Sequence, residues 1–494
     1  MNTVSAPDHV RISIIGTGFA GIGVAIKLKE LGIDFTILER ASSVGGTWRD
    51  NSYPGCKCDV PSHLYSFSFA PNPEWSHTYS PQPEIWEYLR RTTEEHGILP
   101  YIRFGHEVLD AAWDDDTRRW RIETAQGAIT ADLLIAGNGA LSAPSIPEIE
   151  GIERFEGTVF HSAQWDHDHD LTGERVAVIG TGASAIQFVP EIQPDVARLH
   201  LFQRTAPWVL PHTDRRVTDG ERRLYRRFPR AQRLVRAAIY WSREMLVLGL
   251  TRWPKLMKPT ERMGRANLNK HVQDPVLRAK LTPKFSPGCK RLLLSDDYYP
   301  ALVQDNVEVV TEAIREVRPR AVVTADGVEH EVDTIIYGTG FRVTDNPIGE
   351  RVRGRDGQTL AKAWADGGAR AYLGSTVPGF PNLFLMTGPN TGIGHTSLVV
   401  MIEAQTTYIL DCLRTMRERD ASTVEVRPEA FEAFNAEVQA KMGRTVWSLG
   451  GCASWYLDSH GRNTTLWPDF TFRYRERTKR FDVESYVLAT GHTA

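Results

Sequence analysis

Gly16-Thr17-Gly18-Phe19-Ala20-Gly21 follows the apolar run Ile12 to Ile15, and Gly180-Thr181-Gly182-Ala183-Ser184-Ala185 follows Val176 to Ile179. Each stretch reads as a strand, a tight glycine turn and the start of a helix. The first glycine permits the turn and the second lets backbone approach a pyrophosphate. The third small residue, Gly21 or Ala185, lets the helix sit close on the strand. The helix N-terminus then faces the phosphates with unpaired N–H groups. One such loop is weak evidence. Two in full strand–turn–helix context indicate two dinucleotide-binding units.

The residue expected to read the ribose differs between the two. Phe35 to Leu38 reads as the next strand of the first unit and ends in Glu39, whose carboxylate accepts ribose hydroxyls and repels a 2′-phosphate. Leu199 to Phe202 is the matching strand of the second unit and ends in Gln203-Arg204, where a guanidinium favours a 2′-phosphate. The first site therefore suits the ADP half of FAD and the second suits NADPH.

The units repeat further along the chain. Val108 to Trp113, Trp120 to Thr124 and Ala128 to Thr130 alternate as strands before Asp132-Leu133-Leu134-Ile135-Ala136-Gly137-Asn138-Gly139; Val307 to Val310 and Ala321 to Thr324 precede the similar Asp333-Thr334-Ile335-Ile336-Tyr337-Gly338-Thr339-Gly340. Leu141 to Pro147 reads as a hinge. A strand over Asn382 to Met386 and a helix over Ser397 to Leu413 return to the first unit. The expected fold is α/β, with two interleaved Rossmann-like domains in the manner of glutathione reductase and a helical insertion. The segments are 1–145 and 380–494 for the FAD domain, 146–208 and 286–379 for the NADPH domain, and 209–285 for the insertion.

With 494 residues, 58 Lys and Arg against 61 Asp and Glu, and a net charge of -3, the chain has no global attraction to nucleic acid or membrane. Five cysteines, a sparse and odd count, fit a reducing compartment. The opening MNTVSAPDHV lacks a signal-peptide pattern, and no apolar run reaches the length of a spanning helix, so the chain reads as cytoplasmic. Nine arginines between Arg215 and Arg236 precede the apolar stretch Ala237 to Leu250. They are either a solvated helix face or a surface, within 215–250, that meets anionic lipid without insertion. No reader motif for nucleic acid accompanies them.

Two further motifs narrow the chemistry. Phe155-Glu156-Gly157-Thr158-Val159-Phe160-His161-Ser162-Ala163-Gln164-Trp165-Asp166 matches FxGxxxHxxxW(P/D), and Gly45-Gly46-Thr47-Trp48, Tyr53-Pro54-Gly55 and Asp59 match GGxWxxxx(Y/F)PGxxxD. On these motifs and the paired nucleotide loops, nearly the whole chain resembles the type I Baeyer–Villiger monooxygenases of the flavin-containing monooxygenase superfamily. The resemblance implies FAD and NADPH as cofactors and O2 with a ketone, or a sulfide, as substrates. Reduced flavin would react with O2 to give a C4a-peroxyflavin that converts the ketone to an ester or lactone.

It also implies site residues. FAD is expected on Gly16, Gly18, Phe19, Gly21, Glu39, Gly46, Thr47, Trp48, Asp59, Tyr65 and Val108. NADPH is expected on Gly180, Thr181, Gly182, Ser184, Ala185, Arg204, Thr205 and Lys290. Arg291 is the expected catalytic cation, oriented by the catalytic carboxylate of Asp59. His161 and Trp165 are expected to couple the domains rather than to react. Tyr65 either touches flavin or packs in the core, and Trp447, Trp455, Tyr456 and Trp467 either wall the active site or pack on the FAD domain. Cys56 and Cys58 have neither redox-pair spacing nor further partners for a metal. An N- or S-oxygenating flavin monooxygenase is the nearest alternative, followed by a disulfide reductase or a non-enzymatic redox sensor.

Overall fold

The computed structural model describes residues 8–490. The two glycine loops head two separate sheets, the first mixed and the second all parallel. In the first, Asp8–Ile15 lies between Thr36–Glu39 and Gly127–Ala136, and Ile102–Phe104 continues beyond Thr36–Glu39. Strands covered on both faces need continuous apolar runs rather than alternation, and Ile12, Ile14, Ile37, Leu134 and Ile135 are fully buried. Gly127–Ala136 is one unbroken strand where the sequence suggests two pieces. Its early residues pair antiparallel with Arg119–Thr124, and beyond them Leu383–Leu385 pairs parallel with residues 134–136.

The second sheet runs Val307–Val310, Arg198–Phe202, Arg175–Ile179, Thr334–Tyr337, Thr158–His161, with every neighbour parallel. A meander of Ile314–Arg318, Ala321–Thr324 and Glu329–Glu331 accompanies it. The fold is therefore α/β with two Rossmann-like sheets, as the paired loops imply. The interleaving is finer than the expected segments. Val352–Arg353, within the stretch 286–379 assigned to the NADPH domain, pairs with Ala111 and Ala112 of the first sheet. Two residues are too short a strand to leave a periodic signal.

The insertion is helical from Asp219 onward, through Asp219–Arg227, Pro229–Glu244, Lys258–His271 and Pro275–Lys280. Thr218 and Glu221 form a reciprocal capping box that fixes where it starts. Before that point Val209–Leu210 pairs parallel with Leu293–Leu294. This ribbon closes the base of the insertion and delivers the Lys290-Arg291 loop beside it. Leu398–Glu418, started by Ser397 whose hydroxyl accepts from Val399 N, packs on the Phe19–Glu30 helix. Among the described residues no helix is long and apolar enough to cross a membrane.

Candidate active site

The first loop is built around close backbone contacts. Gly16 has φ +93°, and a Cβ on Gly21 would sit 1.9 Å from the Gly16 carbonyl oxygen, so nothing larger than glycine lets this helix start so close to its strand. Gly18 is different: a Cβ there would meet only Gly46 Cα, at 3.9 Å. The Phe19–Glu30 helix has no side-chain cap, which leaves its first N–H groups free for an anion. Glu39, 4% exposed, ties the loop together. It accepts from Thr17 N at 3.0 Å, Thr17 Oγ1 at 2.6 Å, Ala41 N at 3.0 Å and Arg49 Nη1 at 3.1 Å. The backbone carbonyl of Glu39 accepts from His106 N, two residues before the buried Val108.

Gly46, Thr47 and Trp48 stand against this loop, with Gly45 N donating to Thr17 O at 3.1 Å. The Trp48 indole donates to the Tyr65 hydroxyl at 3.0 Å, and Phe19 lies edge-on to Tyr65 with ring centres 5.1 Å apart.

The second loop repeats the design with more exposure. Gly180 has φ +111°, and the Ala185–Ile192 helix again starts without a side-chain cap at Ser184. Thr181 Oγ1 donates to Thr205 O at 3.2 Å, and Lys290 Nζ donates to Thr205 Oγ1 at 2.7 Å. Burial depresses the Lys290 ammonium pKa, and the nearby Arg204 cation depresses it further. Two cations held this close repel each other until an anion lies between them, which fits a 2′-phosphate.

Between the loops, Arg291 meets Asp59 across 232 residues of sequence. Its Nε and Nη2 both donate to the carboxylate, Nη2 to Oδ1 at 2.7 Å. About 31% of the Arg291 side chain and 26% of Asp59 stay accessible, so a ligand can reach the pair. Burial pushes the Asp59 carboxyl up, but the Arg291 charge and hydrogen bonds outweigh it and hold it below the ordinary range. The Asp59 charge in turn holds Arg291 protonated. Tyr456, buried beside Arg291, is pushed up to about 12 by burial and stays a neutral phenol. Cys56 and Cys58 are buried free thiols, driven up by burial and unreactive.

The profile of the flavin-binding monooxygenase-like family matches residues 9–353. The chain belongs to that family. It is 52% identical over 483 residues to a Baeyer–Villiger monooxygenase of Streptomyces coelicolor, covering 97% of this chain and 93% of the relative. It is 50% identical over 491 residues to one of Pseudomonas aeruginosa, covering 99% and 93%. Among solved structures, a closed crystal structure of cyclohexanone monooxygenase superposes with a TM-score of 0.87 at 28% identity, covering 98% of this chain and all of the other. An oxidised steroid monooxygenase bound to NADP gives 0.85 at 30% identity, with the same coverage.

The monooxygenase holds further residues that no motif marks. Arg243 of the insertion donates to Tyr79 Oη at 2.6 Å and adds a second positive charge near Asp59. Arg236, on the same helix, donates to the carbonyls of His63 and Leu64 beside Tyr65. The two arginines are seven residues apart, two helical turns, and that spacing was the readable sign of a shared inward face. The Tyr53-Pro54-Gly55 motif docks on the second domain. Tyr53 Oη donates to Gln187 Oε1 at 3.0 Å, and Gln187 Nε2 donates to Lys57 O at 3.1 Å, two residues before Asp59.

His161 ends a strand of the second sheet, and its Nδ1 accepts from Ala163 N at 3.0 Å; Trp165 packs on Phe160 and Phe188. The aromatic quartet near the C-terminus divides. Tyr456 reaches Arg291 and shares a buried apolar cluster with Trp447, Trp455 is exposed, and Trp467 packs against Phe434 and Tyr474.

The cysteine count gave no hint of a disulfide, yet Cys289 is bonded to Cys452 immediately before Lys290-Arg291. Their separation of 163 residues hid the pairing. Away from this cleft, His200, Glu308 and His330 bring ligand atoms within 4.8 Å of one another, a cluster with no spacing signal in sequence. Glu308 there already engages His200 Nδ1 at 3.0 Å and the Arg198 guanidinium.

Proposed function

We propose that this monooxygenase inserts one atom of O2 beside a ketone carbonyl, giving an ester or lactone, with NADPH as reductant and FAD as the bound flavin. The observation that supports it most directly is the permanent cation Arg291, held in an accessible wall between the two nucleotide loops by its twofold hydrogen bond to Asp59. FAD would rest on the Gly16-to-Gly21 loop, the uncapped Phe19–Glu30 helix and the Gly46-to-Trp48 turn, beside Tyr65 and Val108. NADPH would rest on Gly180 to Ala185, with its 2′-phosphate between Arg204, Thr205 and Lys290. When bound, the flavin supplies the two-electron chemistry that activates O2, and the nicotinamide supplies the hydride.

The chain's own contribution at the reacting centre is electrostatic. Negative charge gathers on the carbonyl oxygen as the carbonyl is attacked, and a guanidinium stabilises it without giving up a proton. Asp59 fixes the planar donor fork in orientation and keeps its own proton off through the working pH range. Sulfide oxidation at the same centre needs no such stabilisation and would be less sensitive to Arg291.

The test is Arg291→Ala, with flavin reduction and ester product followed separately. Loss of one preorganised donor costs about 10²–10³ in kcat. Ester formation is expected to fall by about that factor while NADPH still bleaches the flavin. Ester formation at the wild-type rate would remove Arg291 from this role, and wild-type protein that consumed NADPH and O2 with amines or sulfides but formed no ester would overturn the assignment in favour of an N- or S-oxygenating enzyme.

A further inference from the structure

The outer face of the insertion combines two features that sequence alone left unresolved. Among the described residues, large apolar side chains crowd the surface here, including Leu224, Phe228, Leu234, Trp241, Met245 and Trp253, with Leu234 at 72% and Met245 at 60% exposed. Leu234, Trp241 and Met245 follow one another at spacings of seven and four, which puts them along one face of Pro229–Glu244 and its cap. Around them Arg223, Arg227, Arg230, Arg233, Arg252 and Lys255 are exposed. From Arg222 to Lys258 the single carboxylate is Glu244, which is buried against Thr471. Neighbouring elements bring two carboxylates to its edge, Glu74 at 3.1 Å from Arg226 and Asp469 at 4.0 Å from Arg252, so within a chain of net charge -3 the ring around the apolar centre stays strongly cationic.

We propose that this face docks on an anionic lipid bilayer, with the apolar side chains entering the headgroup region and the arginines pairing with lipid phosphates. The charge pattern selects this occupant. A second copy of the chain would set arginines against arginines in a two-fold contact. A nucleic acid would neutralise the ring but leave tryptophan, leucine and methionine in water. A bilayer satisfies both. The inner face of the same helix carries Arg236 and Arg243, which reach the Tyr65 and Asp59 neighbourhoods. The reaction cleft therefore lies about one helix diameter, ~10 Å, behind the docking face. Resting on the Baeyer–Villiger reading, the favoured substrates are apolar ketones that partition into the bilayer.

The holoenzyme is floated with vesicles of phosphatidylcholine alone and of phosphatidylcholine with phosphatidylglycerol. Binding is expected only to the anionic vesicles and is expected to weaken with salt. Each arginine near such a surface contributes about fivefold, so Arg227→Gln, Arg230→Gln and Arg233→Gln together weaken binding by about a hundredfold. Leu234→Ser, Trp241→Ser and Met245→Ser together also release the protein, with turnover of a short water-soluble ketone unchanged and that of a vesicle-borne long-chain ketone reduced. Failure to bind anionic vesicles overturns the proposal, as does equal binding to neutral ones. It is equally overturned if the apolar triple variant converts a dimer to a monomer without changing vesicle binding. Loss of all ketone turnover in wild type with vesicle binding intact would reject only the Baeyer–Villiger reading.

Discussion

Alanine at Gly18 separates space the fold needs from space a ligand needs. Gly18 has φ -77°, which any residue adopts, and its nearest neighbour to an added methyl is Gly46 Cα at 3.9 Å. Gly18→Ala therefore clashes with nothing in the protein, and its poorer N-cap costs only about 0.5–1 kcal/mol. If the bound FAD pyrophosphate closes on this backbone, the methyl occupies its place. Overpacking by one methyl costs about 1–3 kcal/mol, which weakens FAD about 5- to 150-fold. Gly21→Ala is the opposite case, because its Cβ meets the Gly16 carbonyl at 1.9 Å and the helix must move off the strand with or without cofactor. The assay pairs thermal unfolding of the apo-proteins with fluorescence titration by FAD. Gly18→Ala is expected to keep the apo melting temperature and lose affinity, whereas Gly21→Ala loses both. Undiminished FAD affinity in Gly18→Ala, or an apo melting loss equal to that of Gly21→Ala, would refute the pyrophosphate assignment.

Arg204→Ala is expected to raise KM for NADPH about 10- to 100-fold, the worth of a charge-assisted hydrogen bond, and to leave NADH kinetics unchanged; equal effects on both would remove Arg204 from the 2′-phosphate. His63, 7% exposed, is depressed from 6.5 to about 4 by burial, with the Arg215 and Arg236 charges adding to the effect. The unfolded chain takes up this proton first, so stability is complete above pH 6.5 and falls as pH drops toward 4, by about 3 kcal/mol. His63→Asn keeps an acceptor for Gln232 Nε2, which now lies 3.2 Å from Nδ1, and should flatten that pH dependence in urea unfolding; an unchanged slope would assign the acid sensitivity elsewhere. Thiol titration of denatured protein should find three thiols before reduction and five after it. Cys452→Ser should lower stability by about 3–5 kcal/mol through the freed loop, and five thiols without reductant would contradict the pairing.

Much of the fold was readable because its signals are local. The turn into each helix requires glycine within a few residues of a buried strand, and the parallel cores of both sheets follow from mainly apolar runs such as Ile12 to Ile15 and Val307 to Val310. The capping box at Thr218 and the seven-residue spacing of Arg236 and Arg243 are also local signals, visible once the helices are known. The two-residue pairing of Val352–Arg353 with Ala111 and Ala112 had no such signal, since a strand that short carries no period.

The amino-acid order by itself determined the two nucleotide loops, the strands and helices around them, and the residue types from which a flavin monooxygenase site is assembled. Tertiary structure alone decided which of those residues share a cleft. The Asp59–Arg291 pair was expected from the resemblance, but Tyr53 clasping Gln187 over 134 positions and Cys289 reaching Cys452 over 163 were not. It also decided which side chains of the apolar stretch after the arginine run go inside (Tyr240, Val247, Leu250) and which stay outside (Trp241, Met245, Leu246). Local pattern is set by the geometry of a few neighbouring residues, whereas these contacts depend on how whole sheets and helices pack, which no short stretch of sequence encodes.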